Sequence, residues 1–321
     1  MGMRIALLEP LGVSEERISQ LSAPIRERGH EFVYFGEKTT DSQELARRSV
    51  GADVVMIANN PYPASVIEGA DALKMIAVAF TGIDHVSSDA CKAKGVTVCN
   101  CAGYSDTSVA ELVLGLTIDV LRKVVAGDAA TRSGKTSAGL TGREIAGKTV
   151  GIVGTGHIGT QVGRLFAAVG AHVRGYARHE NPEATAAGIE YVSDLDELLK
   201  DSDIVSLHLP SNAATRGMFT AEKFALMPKG SVFINCARGA IVDNEALAKA
   251  LNSGHLAGAG IDVFDMEPPL PSDYALLHAT NALLTPHVAF LTEEAMERRA
   301  VIEFGNVVAW LDGKPENVCS L

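Results

Sequence analysis

Three polar side chains suited to acid–base chemistry each follow an apolar run in the second half of the chain. Arg238 follows VFINCA, Glu267 follows GAGIDVFDM, and His287 follows LLTP. An arginine fork binds a carboxylate through two hydrogen bonds, and histidine gains or loses a proton near neutral pH. A carboxylate beside a histidine fixes its tautomer and favours the imidazolium. These residue types predict a site that binds a carboxylic acid and exchanges a proton with it.

A glycine-rich segment lies between a predicted strand and a predicted helix. The run TVGIVGTGHIG, which starts at Thr149, has the GxGxxG spacing. Gly154 permits the tight turn, Gly156 lets backbone amides approach a pyrophosphate, and Gly159 lets the helix lie close to the sheet. A diphosphate is then held at a helix N-terminus, where amides and the helix dipole favour negative charge. The segment predicts a dinucleotide site.

The strand predicted after the glycine-rich segment ends without an acidic residue. Dinucleotide folds that bind NAD place a carboxylate there, about 20 residues on, to read the ribose 2′-hydroxyl. This chain has Ala177 and then Arg178. A cation at that position suits a 2′-phosphate, so we predict NADP(H) in preference to NAD(H). The alternative interpretation is a solvated surface arginine.

Composition excludes several classes of protein. The 321 residues, with 47% hydrophobic residues and a net charge of −11, suggest two domains and no nucleic-acid partner. The most apolar predicted helix, residues 108–121, contains Glu111 and Asp119, and no signal peptide is evident at the N-terminus. We therefore expect no membrane span. The five cysteines show no CxxC or metal-ligand spacing, so we expect reduced thiols and no metal site. Together these features predict a cytoplasmic location.

Apolar strands alternate with amphipathic helices along the chain, which predicts parallel sheets in an α/β fold. Five strands are predicted before residue 100 and six after residue 148. Between the two series lie a long helix, about Ser105 to Val125, and a polar segment, Gly127–Gly147, that we predict to be a surface loop. A last amphipathic helix is predicted at about Glu293 to Leu311.

The glycine-rich run, together with NCARG, DVFDMEP and TPH, resembles the D-isomer-specific 2-hydroxyacid dehydrogenase family. The resemblance covers nearly the whole chain. It implies two doubly wound parallel-sheet domains with a cleft between them. Residues 1–104 and 289–321 would form a flavodoxin-like substrate domain, and residues 105–288 a Rossmann dinucleotide domain. It also implies an NAD(P)-dependent oxidoreductase that acts on a small 2-keto or 2-hydroxy acid of D configuration, and a homodimer.

The resemblance implies a role for each candidate site residue. Arg238 holds the substrate carboxylate and keto oxygen, His287 is the general acid and base, and Glu267 is its partner. Backbone amides around Thr81 and Gly82 cradle the substrate carboxylate.

Cofactor-binding residues are expected in the glycine-rich segment and at the ends of later strands. By resemblance, amides of His157 and Ile158 hold the pyrophosphate, and Asp262 meets the nicotinamide carboxamide. The predicted cofactor-binding set is Gly154, Thr155, Gly156, His157, Ile158, Gly159, Ala177, Arg178, His208, Pro210, Thr215, Cys236, Ala237 and Asp262.

The stretch from His287 to Phe290 resembles that of hydroxypyruvate and glyoxylate reductases and D-lactate dehydrogenases. Phe290 is expected to wall the pocket beside the substrate's C3 group, which favours small uncharged substituents. We therefore predict hydroxypyruvate, glyoxylate or pyruvate as substrate, with Thr81, Gly82, Arg238, His287 and Phe290 as substrate-binding residues.

Three alternatives stay open. The first is D-3-phosphoglycerate dehydrogenase, although the predicted strand end at Asn59 and Asn60 offers amides where a phosphate needs a cation. The second is formate dehydrogenase, whose members place glutamine where Glu267 stands. The third, of another class, is a dinucleotide-sensing corepressor that binds partner peptides, for which the chain shows neither a long disordered tail nor a basic patch.

Overall fold

The computed structural model describes residues 2–321 and divides them into two compact units. The first unit contains the residues up to Ser105 together with Leu291–Leu321, and the second contains Asp106–Phe290. The sequence-based boundaries, after residues 104 and 288, fall one residue before Ser105 and two before Phe290.

The first unit is built on a five-stranded parallel sheet of order β2-β1-β3-β4-β5, the flavodoxin-like arrangement. Strands β3 and β4 are buried along their whole length, because helices cover both faces of a parallel sheet. Its elements are β1 Arg4–Leu7, α1 Glu15–Glu27, β2 Glu31–Tyr34, α2 Ser42–Ser49, β3 Val54–Ile57, α3 Ala64–Gly69, β4 Met75–Val78, α4 Ser88–Lys94 and β5 Thr97–Cys99.

The second unit contains a seven-stranded parallel sheet of order β12-β11-β10-β9-β6-β7-β8. The strand order reverses between β6 and β9, which is the switch point of a Rossmann sheet. Its elements are α5 Asp106–Arg122, α6 Val124–Arg132, β6 Thr149–Val153, α7 His157–Ala168, β7 His172–Tyr176, α8 Pro182–Ala186, β8 Glu190–Tyr191, α9 Leu195–Asp201, β9 Ile204–Leu207, α10 Ala221–Leu226, β10 Val232–Asn235, α11 Asn244–Asn252, β11 Gly258–Ile261 and β12 Ala282–Leu284. The chain then returns to the first unit with α12, Glu293–Leu311.

Side chains of the second sheet alternate between two buried clusters, one on each face. In β10, Val232 and Ile234 join one cluster and Phe233 joins the other. This is the two-residue period of a strand that is covered on both sides. The predicted fold class, two doubly wound parallel sheets, is confirmed.

Two local predictions are wrong. The segment after α5 is not a loop from Gly127, because the chain turns at Lys123 (φ 54°) and continues as α6 to Arg132. Its alanines favour a helix, but no residue of α6 is buried, so no hydrophobic period was visible. The second sheet has seven strands rather than the six predicted. The strand that was not predicted is β8, which is only two residues long.

Candidate active site

A tight turn after β10 carries Arg238. The Asn235 side chain closes this turn, since its Oδ1 accepts from Ala237 N and its Nδ2 donates to Arg238 O. The guanidinium of Arg238 donates to the carbonyl oxygen of Ala237 over 2.7 Å. A Cβ at Gly239 would lie 1.8 Å from the carbonyl carbon of Phe264. Only glycine fits there, and this close approach fixes the Arg238 turn against the segment that follows β11.

The structure brings Glu267 and His287 together at the ends of β11 and β12. His287 Nδ1 lies 3.1 Å from each carboxylate oxygen of Glu267. The His287 side chain is 26% exposed and that of Glu267 is 73% exposed, so both groups are accessible from solvent. His287 Nε2 has no hydrogen-bond partner among residues 2–321. With one ring nitrogen oriented by a carboxylate and the other available, the imidazole has the arrangement of a general acid.

Asp262 holds the backbone on both sides of His287. Its fully buried carboxylate accepts hydrogen bonds from the Thr285 hydroxyl (2.6 Å) and from the amides of Val288 (2.8 Å) and Ala289 (2.9 Å). Burial raises the pKa of the Asp262 carboxyl, and the three donors partly offset that effect. His287 itself has φ +56°, a left-handed conformation that a residue other than glycine keeps only when its surroundings enforce it. Asp262 supplies that enforcement.

Phe290 stands beside the imidazole. The two rings are 5.6 Å apart, centroid to centroid, and almost perpendicular at 89°. This is the favoured edge-to-face arrangement of aromatic rings. An apolar wall therefore lies next to the available proton-transfer group.

The glycine-rich segment turns as its sequence predicts. Gly154 has φ +98°, and a Cβ there would lie 2.5 Å from the carbonyl oxygen of His208. A Cβ at Gly159 would lie 2.0 Å from the carbonyl oxygen of Gly154, so the helix approaches the turn closely. A Cβ at Gly156 meets nothing within 4 Å, which leaves room for a ligand at the N-terminus of α7. His157 and Ile158 occupy the first turn of this helix, where backbone amides have no partner inside the helix.

The end of β7 carries the residues expected at the ribose. Ala177 is partly buried, and Arg178 is exposed. The Arg178 guanidinium makes no hydrogen bond or ion pair with any of residues 2–321. This arginine is therefore available for an anionic ligand.

The end of β9 lies against the glycine-rich turn and carries His208. His208 Nε2 lies 2.9 Å from the hydroxyl of the buried Ser206. Removal from water lowers the pKa of His208 to about 3, so its ring is neutral at physiological pH. The following loop is closed by Thr215, whose hydroxyl donates to Pro210 O over 2.6 Å. The two residues before Arg238, Cys236 and Ala237, are buried and partly buried, and burial raises the pKa of the Cys236 thiol.

Thr81 and Gly82 belong to the first unit, where they follow β4. Thr81 is exposed, and its carbonyl oxygen accepts a hydrogen bond from Asn100 Nδ2 over 2.7 Å. Phe80, the preceding residue, contacts Tyr104 edge to face and lies under the Arg299 guanidinium. The segment lies beyond the carboxyl end of β4, at the carboxyl edge of the first sheet.

Sequence reasoning missed two residues that shape the nucleotide side of the second unit. Asn181 and Tyr191 both make hydrogen bonds to Thr155 in the glycine-rich turn. The only sequence signal is Asn181-Pro182, a typical helix start. Nothing in the sequence marks the Tyr191 hydroxyl.

Other kinds of site receive no support from the described residues. Residues 2–321 contain no cluster of three His, Cys, Asp or Glu side chains that could hold a metal ion. None of their helices is long and apolar enough to cross a membrane. A Rossmann sheet with a glycine-rich turn at its switch point, and a histidine–carboxylate pair on the same edge, defines a nicotinamide-dependent oxidoreductase.

Comparison with known proteins gives the family. Residues 114–289 match the profile of the D-isomer specific 2-hydroxyacid dehydrogenase NAD binding domain. The chain is 33% identical over 297 residues to a hydroxypyruvate reductase of Blautia hydrogenotrophica, which covers 90% of this chain and 92% of the relative. It therefore belongs to the D-isomer-specific 2-hydroxyacid dehydrogenase family and is an NAD(P)-dependent enzyme of 2-keto acid reduction.

The chain is also similar to two proteins named for other activities. The chain is 36% identical over 283 residues to a D-3-phosphoglycerate dehydrogenase of Methanocaldococcus jannaschii; the match covers 87% of this chain but only 54% of that longer relative. A solved acyclic imino acid reductase in complex with NADPH and D-Arg superimposes with a TM-score of 0.89 at 29% identity. That match covers 99% of this chain and 100% of the other.

Proposed function

We propose that this enzyme reduces hydroxypyruvate, glyoxylate or pyruvate to the D-2-hydroxy acid, with NADPH as the preferred reductant. The observation that carries the proposal is the Glu267–His287 pair, in which Nδ1 is bonded to the carboxylate and Nε2 is left for substrate. When bound, the nicotinamide supplies the hydride that reduces the keto carbon.

In the proposed reaction the protein supplies the proton and the charge complementarity. His287 Nε2 donates its proton to the keto oxygen as the hydride forms the new C–H bond, and a hydroxyl group results. Glu267 orients the ring through its hydrogen bond to Nδ1. The Arg238 guanidinium binds the substrate carboxylate and polarises the keto group. The amides at Thr81 and Gly82 are proposed to bind the same carboxylate.

Phe290 supports the choice of small substrates. Its ring meets the His287 imidazole edge to face, so a substrate bonded to Nε2 would place its C3 group near an apolar surface. A hydroxymethyl, methyl or hydrogen substituent suits such a surface, whereas a phosphate there would lose hydration without a partner.

The preference for NADPH rests on Arg178. Its exposed guanidinium has no partner among residues 2–321, and Ala177 provides no carboxylate to repel a 2′-phosphate. A hydrogen bond to a charged group contributes roughly 1.5–3 kcal/mol, or about tenfold to a hundredfold in preference.

The experiment is a panel of 2-keto acids assayed with NADH and with NADPH. We expect kcat/KM to be highest for one of the three small acids and higher with NADPH. The variant Ala177→Asp should reverse the cofactor ratio, because its carboxylate repels a 2′-phosphate and accepts from a ribose hydroxyl. A wild-type preference for NADH would remove the assigned role of Arg178.

A second candidate substrate is 3-phosphohydroxypyruvate, and Lys38 favours it. The Lys38 ammonium donates to Asn59 Oδ1 over 2.6 Å and so brings a cation to the end of β3. The amides of Ala58 and Asn60 are already bonded to the buried Glu9 carboxylate, so this lysine is the group that could meet a phosphate. Lys38→Met should lower kcat/KM for the phosphorylated acid alone, and a kcat/KM for that acid above those of the small acids would overturn our main proposal.

We also propose a homodimer formed through α6. This helix has no buried residue, and Val124 and Val125 are 47% and 57% exposed. Apolar side chains on an otherwise unburied helix favour a second copy of the chain as partner. Light scattering should give the mass of a dimer for the wild type and of a monomer for Val124→Lys/Val125→Lys.

A further inference from the structure

A ring of hydrogen bonds joins three segments on the nucleotide side of the second unit. Tyr191, in the edge strand β8, forms a hydroxyl–hydroxyl hydrogen bond with Thr155. Thr155 lies between the first two glycines of the glycine-rich turn, residues 154–159, which we call the phosphate cradle. The same Tyr191 oxygen accepts from the backbone amide of Asn181 over 2.8 Å. The Asn181 side chain closes the ring by donating from Nδ2 to Thr155 O over 3.0 Å.

The ring is buried at Thr155 and partly buried at Asn181 and Tyr191. Thr155 and Thr160 are each 3% exposed, and Thr160 Oγ1 also bonds Thr155 O. Gly175 makes the space, since a Cβ there would lie 3.0 Å from Thr155 Cγ2. Breaking one member therefore affects the backbone of the phosphate cradle directly.

Both ends of the segment Ala177–Glu180 are tied to the cradle. At its start, Tyr176 O accepts from Gly154 N over 2.8 Å, and at its end Asn181 is bonded to Thr155. Asn181 Oδ1 also caps α8 by accepting from Glu183 N. A four-residue segment fixed at both ends has little freedom, and this one carries Arg178.

We propose that Tyr191 is a positioning residue for the adenosine ribose of the dinucleotide. Its hydroxyl and Asn181 hold the Ala177–Glu180 segment at a set distance from the phosphate cradle. The part of the dinucleotide bound by these two segments is the 2′ substituent of the adenosine ribose together with the neighbouring pyrophosphate. The inference rests on the proposed cofactor site, but it holds for NADPH and NADH alike.

The first test is Tyr191→Phe, which removes one oxygen and keeps the ring. Loss of a neutral hydrogen bond weakens binding by about 3- to 10-fold. We expect KM for the better cofactor to rise by that factor and kcat to stay within about twofold, because no group at the keto acid changes. The matched control is Tyr62→Phe, which removes a hydroxyl bonded to Ser49 in the first unit and should leave the cofactor KM unchanged.

The second test is coupling within the ring. Thr155→Val is close in shape and also removes the Tyr191–Thr155 hydrogen bond. If the two residues act through that bond, the double variant Thr155→Val/Tyr191→Phe should have a cofactor KM no higher than the worse single variant. The inference would be overturned if the KM increases of the two single variants multiplied in the double variant, or if Tyr191→Phe left the cofactor KM unchanged. The proposed preference for NADPH can fail independently. In that case the wild type would prefer NADH, and Tyr191→Phe would still raise the KM for NADH.

Discussion

Two histidines stand at the carboxyl edge of the same seven-stranded sheet and have opposite surroundings. His208, at the end of β9, lies against the buried Ser206 hydroxyl, and desolvation lowers its pKa to about 3. His287, at the end of β12, is bonded to a carboxylate that is largely exposed. Desolvation beside a hydroxyl keeps the His208 imidazole neutral. The carboxylate beside His287 orients that ring through Nδ1, and Nε2 has no hydrogen-bond partner among residues 2–321. The partner and the access to water therefore distinguish the histidine that we propose as the proton donor from the one that stays neutral.

Among changes to the partners of the two histidines, the largest effect is expected from removing the carboxylate. Glu267→Gln keeps the shape of the side chain but removes its charge. A hydrogen bond to a charged group contributes roughly 1.5–3 kcal/mol, so kcat should fall by about 10- to 100-fold. The NADPH KM should change little, and the control Asp273→Asn removes an exposed acid and should leave kcat unchanged. An unaltered kcat in Glu267→Gln would show that the carboxylate partner of His287 does not contribute to proton transfer.

A smaller effect should follow from loosening the backbone at His287. Asp262→Asn replaces one acceptor oxygen by an NH2 group, which faces either the Ala289 amide or the Val288 amide together with the Thr285 hydroxyl. At least one buried donor then loses its partner, at a cost of about 1–3 kcal/mol. We expect a lower Tm and a kcat reduced by about tenfold, since the left-handed turn holds the ring in place. A kcat unchanged beside a lowered Tm would confine Asp262 to stability.

The smallest effect concerns the contribution of His208 to the pH dependence of stability. Its folded pKa, about 3, lies below the unfolded value near 6.5, so the unfolded chain takes up a proton first as the pH falls. Its contribution is complete above about pH 6.5 and is lost from there towards pH 3. At pH 5 the loss is roughly 2 kcal/mol, and His208→Gln should lack that part of the pH dependence. Urea unfolding of both proteins at pH 5 and 7.5 measures the difference, and parallel pH curves would contradict it.

The pairing of Glu267 with His287 was predictable because parallel strands end at one edge of a sheet. DVFDMEP and TPH follow neighbouring strands, so their polar ends meet. Strands with long buried runs, such as β6 and β10, coincide with the apolar runs TVGIV and VFIN of the sequence. The periodic hydrophobic pattern carries that information.

Other features depend on contacts that no local pattern encodes. The bonds from Asp262 to Val288 and Ala289 span 26 and 27 residues and require the left-handed turn at His287. The ring formed by Thr155, Asn181 and Tyr191 requires a hydroxyl on a two-residue edge strand. Helix α6 was not predicted because none of its residues is buried in the described chain, so its sequence shows no hydrophobic period.

The most direct test of the role of His287 is the turnover of His287→Ala with hydroxypyruvate at saturating NADPH, measured beside the NADPH Kd. Loss of a general acid lowers kcat by about 10²- to 10⁴-fold. We predict a fall in that range with a Kd within about twofold of the wild type, because His287 is not placed in the cofactor-binding set. A near-wild-type kcat at an unchanged Kd would show that the reaction's proton comes from another group and would contradict the role of His287.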